Sequence, residues 1–178
     1  MKFAVQLMMG MSLAAGALAA PTAAPAAAPT AAAASPAAHV QAVQDLMAAM
    51  QTEKMIRSTA SNSRYASEAQ RKSVFDKLAK VPPAVIHQRL AAPVAKVVSA
   101  ETAAEMTRFY NSPYGQKVLH QKYNSGPSMM MGQEAKLTPA EKKELKRPEY
   151  VKASKALAEA EPAIEHETFV LLQAIIKQ

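Results

Sequence analysis

The sequence predicts an all-α fold, a bundle of about six to eight short helices after a signal peptide and a disordered linker. Three observations carry this expectation. Apolar residues recur at steps of three and four through most of the second half of the chain. Ser or Thr precedes several of the apolar runs, at Ser67, Ser99, Ser112 and Thr138, and the last two are followed directly by Pro. Gly numbers only 5 and aromatics make up 5% of 178 residues, too few for the tight turns and packed faces of a sandwich or barrel.

The first 19 residues read as a signal peptide. Lys2 supplies the positive start, Phe3 to Leu18 the apolar run, and Ala17-Leu18-Ala19 an A-x-A cleavage site. Gly10, Gly16 and polar residues interrupt the run, which argues against a retained membrane anchor. Residues 20–38 contain 12 Ala, 4 Pro, 2 Thr and 1 Ser, with nothing large or charged. Such a stretch buries too little surface to offset its ordering entropy, so it reads as a linker. The folded domain is therefore expected over 39–178. An exported chain with no Cys implies a periplasmic or secreted protein that does not span a membrane after cleavage.

Within the domain, Val40, Val43, Met47 and Met50 predict one amphipathic helix over 39–58, ended by the polar stretch Ser58 to Arg64. Ser67 caps a second, carrying Val74, Phe75 and Leu78, and Val81-Pro82-Pro83 stops it. A third carries Val85 to Val98, with Pro93 expected to kink or split it. Ser99 caps a fourth, and Ser112-Pro113 starts a fifth after a corner where Gly115 allows close backbone approach. Thr138-Pro139, Pro148 and Glu161-Pro162 each predict a further start. In Phe169 to Ile176 seven of eight residues are apolar, which fits a core position or a homo-oligomer contact through the C-terminal helix. Ser99 to Met106 echoes Thr138 to Leu145 at a spacing of 39. Two copies are too few for a solenoid, and chance similarity between capped helices accounts for the echo.

No catalytic residues, cofactor-binding residues or metal ligands emerge. The absent Cys removes thiol nucleophiles and thiolate metal sites. There is no G-x-S-x-G elbow, no S-x-x-K pair, no P-loop and no G-x-G-x-x-G turn. His39, His87, His120 and His166 are scattered. Met129, Met130 and Met131 have the softness Cu(I) favours, but adjacent residues on a helix point apart, so packing is the expected role. Glu159, Glu161, Glu165 and Glu167 surround the expected helix start at Pro162, where they complement its dipole.

Charge is local. Residues 54–96 carry nine basic side chains against Glu68 and Asp76, while residues 101–178 carry eleven against ten. Arg71, Lys72 and Lys77 are the candidate basic face, for an anionic envelope component or an acidic protein. Nucleic acid is not expected, because the chain is exported and its basic stretch holds only Tyr65 and Phe75 for stacking.

The string Phe109-Tyr110-Asn111-Ser112-Pro113-Tyr114-Gly115-Gln116-Lys117 resembles the domain of unknown function 2059 family of bacterial exported proteins. Phe109, Tyr110, Ser112, Pro113, Gly115 and Lys117 carry the likeness, and the acidic helix opening Ser99 to Met106 precedes them. The resemblance implies an all-α exported domain with no assigned activity. On the residues themselves the motif reads as architecture: aromatic anchors, a cap, a helix-starting Pro and a close-packing Gly. The chain is thus expected to be a non-catalytic periplasmic interaction or structural module, with a ligand- or metal-binding helical protein as the alternative.

Overall fold

A computed structural model describes residues 35–124 and 137–178, and within them the chain is all α. Eight helices follow in order: α1 Pro36–Ala49, α2 Thr52–Asn62, α3 Glu68–Ala79, α4 Pro83–Val94, α5 Ala100–Tyr110, α6 Pro113–Asn124, α7 Pro139–Leu145 and α8 Pro148–Ile176. All eight fall in one compact unit. The stretch expected to be a signal peptide and most of the expected linker lie outside the described residues, as do Met129, Met130 and Met131.

The expected caps hold. Ser67, Ser99 and Thr138 accept hydrogen bonds from the backbone N–H of Gln70, Thr102 and Glu141. Ser112 does the same for Gly115 at 3.0 Å. Each bond satisfies one of the donors that a helix start leaves open.

Four boundaries differ from expectation. First, α1 starts at Pro36, inside the predicted linker, because Ser35 caps it and Pro36 takes the first turn. Second, the helix expected over 39–58 is two helices. Gln51 takes a left-handed conformation (φ 54°, ψ 50°) and turns the chain between them. Thr52, fully buried, returns its hydroxyl to the Met47 carbonyl at 3.1 Å, and Tyr123 donates to the Met50 carbonyl at 2.9 Å. Third, the polar stretch from Ser58 does not end α2. Thr59, Ser61 and Ser63 each bond back to the carbonyl four residues earlier, which keeps the hydroxyls satisfied inside the helix. Fourth, Pro162 does not start a helix; it lies inside α8. Leu157, Ala160 and Ile164 are buried on both sides of it, so packing holds the helix together where one backbone bond is missing. Pro93, by contrast, sits one residue from the end of α4, where its missing N–H is tolerated at a helix that is about to stop.

The packing has α1 against α4 and α5, and α8 against α5, α4, α2 and α3. Leu46 and Met47 of α1, Ile56 of α2, Leu90 of α4 and Leu172 of α8 are at most 1% exposed. Buried alanines, among them Ala60, Ala91, Ala103 and Ala160, let the helices approach closely. The apolar C-terminal run divides by face: Leu171, Leu172 and Ile175 are buried, while Phe169 and Val170 are 45% and 46% exposed. No described helix is long and apolar enough to cross a membrane.

Candidate functional site

The corner between α5 and α6 builds the site. Phe109 is 3% exposed, and three tyrosine rings surround it, with centroids 5.2 Å (Tyr110), 6.0 Å (Tyr114) and 4.7 Å (Tyr150) away. The angles between ring planes, 66°, 72° and 43°, are those of edge-on and tilted aromatic contacts. Gly115 makes the corner tight. A Cβ there would lie 2.0 Å from the Phe109 carbonyl oxygen and 2.7 Å from the Tyr110 Cα. Only a residue without a side chain lets α6 begin so close to the end of α5. Pro113 opens α6, and Gln116 donates back to the Tyr110 carbonyl at 2.6 Å.

Both α6 and α8 pack on shared neighbours, α5 and α2, and leave a cleft between them. Its volume is about 380 Å³, within the range of small-molecule sites. Met50, Met55, Met106, Phe109, Leu157 and Ile164 supply apolar lining. Tyr110, Tyr114 and Tyr150 add three of the chain's five tyrosines. Among the described residues, their hydroxyls find no hydrogen-bond partner, whereas those of Tyr65 and Tyr123 donate to the Ala60 and Met50 carbonyls. Lys122 of α6 and Glu161 of α8 both line the cleft and pair across it at 3.2 Å.

Burial pushes the Tyr110 phenol up to about 12, with Tyr150 and Glu161 adding to the shift. Burial likewise raises Tyr150, reinforced by Tyr114 and Glu144, and Tyr123, reinforced by Tyr110, Glu53 and Glu161. All three stay neutral donors and acceptors at neutral pH. Burial is the main cause in each case, and the one carboxylate of the lining, Glu161, is paired with Lys122.

An ion-pair square ties α5 to the corner between α7 and α8. Glu105 and Arg108 pair within α5 at 2.9 Å, and Glu144 and Arg147 pair at the α7–α8 corner at 3.1 Å. Arg108 also contacts Glu144, and Arg147 contacts Glu105. Both carboxyls are held below their usual range, chiefly by hydrogen bonds from Arg108. These residues extend the sequence echo: Glu105 and Glu144, like Arg108 and Arg147, occupy equivalent positions in the two segments. Met106 and Leu145 are equivalent too, and both line the cleft. The two echoing segments are therefore in reciprocal contact.

Lys117 ties α6 to α7 through Glu141 at 2.8 Å. Glu141 also completes the Thr138 capping box, and the two partners bring its carboxyl down to about 2, with Lys117 the larger cause.

The candidate basic face does not assemble. Each helical residue turns the direction by about 100°, so positions 71, 72 and 77 point to three sides of α3. Arg71 pairs with Glu68 and lies over the Phe75 ring, and Lys72 pairs with Asp76. Lys77 reaches the Ile176 carbonyl at 2.5 Å and caps the end of α8. Two histidines bind inside the fold, His39 to the Val98 carbonyl (2.7 Å) and His87 to Glu53 (3.0 Å). Among the described residues no three His, Asp or Glu side chains come together as metal ligands.

Of the cleft, the motif supplied Phe109 and Tyr110, and sequence reasoning missed the rest. Met50 and Met106 read as helix-stripe residues, and Glu161 as a helix-start acid. The one available signal was the density of aromatics at Phe109, Tyr110 and Tyr114 in a chain so poor in them. Comparison of the chain with protein-family models, curated proteins and solved structures gave no match.

Proposed function

We propose that the chain is an exported, non-catalytic helical module that binds a small, largely apolar ligand in the cleft between α5, α6 and α8. The motif Phe109 to Lys117 supports placing it with the domain of unknown function 2059 family, and the A-x-A site at Ala17 to Ala19 supports export. One observation carries the binding function: a cleft of about 380 Å³ whose lining combines three methionines with three tyrosines that keep their hydroxyls unbonded among the described residues. These hydroxyls are open to solvent at the cleft, where a ligand's polar group can take the place of water. Thioethers adapt to ligand shape, and phenols supply orientation.

The test uses the mature chain labelled at its methionine methyl groups. A panel of short-chain alcohols, carboxylates and alkylammonium ions is titrated while the Met50, Met55 and Met106 signals are followed. Binding in the cleft shifts these three signals saturably. In Ala158→Trp, a substitution at an exposed residue that fills the cleft, the shifts disappear while the helical circular dichroism is kept. A panel that moves none of the three signals overturns the proposal.

A further inference from the structure

We infer that the ligand is an organic cation with an apolar body, of the alkylammonium class. This rests on the cleft being a binding site, and it follows from which polar groups the cleft offers. Glu161 presents the one carboxylate of the lining, and Tyr110, Tyr114 and Tyr150 bring aromatic rings whose hydroxyls can donate or accept. The only cationic side chain in the lining, Lys122, is already neutralised by Glu161 at 3.2 Å. An anionic headgroup could accept from the phenols, but it would find the one ammonium of the lining already paired and would meet the aromatic faces with the wrong sign of charge.

The apolar lining favours the same sign of charge. Aromatic faces attract cations through the ring quadrupole, most strongly where water is excluded, and quaternary ammonium ions are the usual guests of aromatic cages. This region already uses that contact once, with the Lys54 ammonium 5.9 Å from the centre of the Tyr123 ring. A weakly hydrated alkylammonium loses little on leaving water, and its alkyl chain can lie along Met50, Met55 and Met106. In the bound state the guest competes with Lys122 for Glu161. Lys122 is 45% exposed and can turn to solvent when displaced.

The experiment is isothermal titration of the mature chain with hexyltrimethylammonium, hexanol and hexanoate, at concentrations below micelle formation. Hexyltrimethylammonium is expected to bind one per chain and about tenfold more tightly than the other two. Glu161→Gln weakens it about five- to tenfold, and Lys122→Gln tightens it several-fold by freeing the carboxylate. That opposite pair of signs is something a merely structural ion pair would not produce, since breaking it from either end would weaken the site alike. Glu161 is 49% exposed, so neither variant threatens the fold. If hexanol or hexanoate binds as tightly as the cation, or if Lys122→Gln weakens binding, the assignment of charge is overturned and the cleft remains a site for apolar ligands. If none of the three probes binds, both proposals fall.

Discussion

A methyl group on Gly115 would press into the Phe109 carbonyl, a backbone atom that cannot move aside. Gly115→Ala is therefore expected to cost about 2–3 kcal/mol in urea unfolding, at the upper end of overpacking effects. Glycine is required here for space. The position that needs a left-handed backbone is Gln51, which no pattern of apolar residues marked. Thr107 is a different kind of oddity. Its Oγ1 is buried with no partner among the described residues. Thr107→Val keeps the shape and removes the polar atom, so it is expected to stabilise the fold by about 1 kcal/mol, read as a raised urea midpoint with an unchanged slope. A fall in stability would mean that a water or another group satisfies the hydroxyl.

At the scale of elements, α7 is short, contributes no fully buried residue, and is held at its edges by charge. Glu141, Glu105 and Glu144 all have carboxyls lowered in the folded state, by Lys117 in the first case and chiefly by Arg108 in the other two. Their contribution is present above the unfolded carboxylate range near ~4.3 and is lost as pH falls through the lowered values, toward about 2 for Glu141. The expected outcome is that amide exchange in 139–145 accelerates between about pH 4 and 2 before the rest of the bundle opens, and that Glu141→Gln removes much of that pH dependence. For α8 the relevant residue is Pro162. Pro162→Ala restores the bond to the Ala158 carbonyl and is expected to stabilise the protein by about 1–3 kcal/mol in thermal unfolding. The helix starts were legible because caps act on their own neighbours; the break at Gln51 and the continuity through Pro162 were not, because what the buried residues on either side pack against decided them.

At the scale of the whole molecule, α8 is a central element, in contact with five other helices, and it also carries the exposed pair Phe169 and Val170. Leu172→Ala is expected to cost about 3–4 kcal/mol, as for a fully buried leucine. Phe169→Ser is expected to stay within about 0.5 kcal/mol and to leave the sedimentation coefficient unchanged, the behaviour of a surface residue on a chain whose terminal helix belongs to its own core. A drop in mass on that substitution would instead place a subunit contact there. Phe109 and Tyr110 of the cleft came from a motif readable as a string; Met50, Met55, Tyr150 and Glu161 reach the cleft from segments tens of residues away.

The amino-acid sequence by itself determined the helical class, the capped starts of α3, α5, α6 and α7, and the tight corner at Gly115, because each rests on bonds and steric limits between residues a few positions apart. It also determined which chemistries are absent for want of Cys. Tertiary structure alone decided that Lys77 reaches the end of α8, that the two echoing segments lock through Glu105, Arg108, Glu144 and Arg147, and that scattered methionines and tyrosines line one cleft. Those outcomes depend on where helices distant in the chain are set down against one another, and burial of a shared core fixes that placement without leaving a local mark on the residues it brings together.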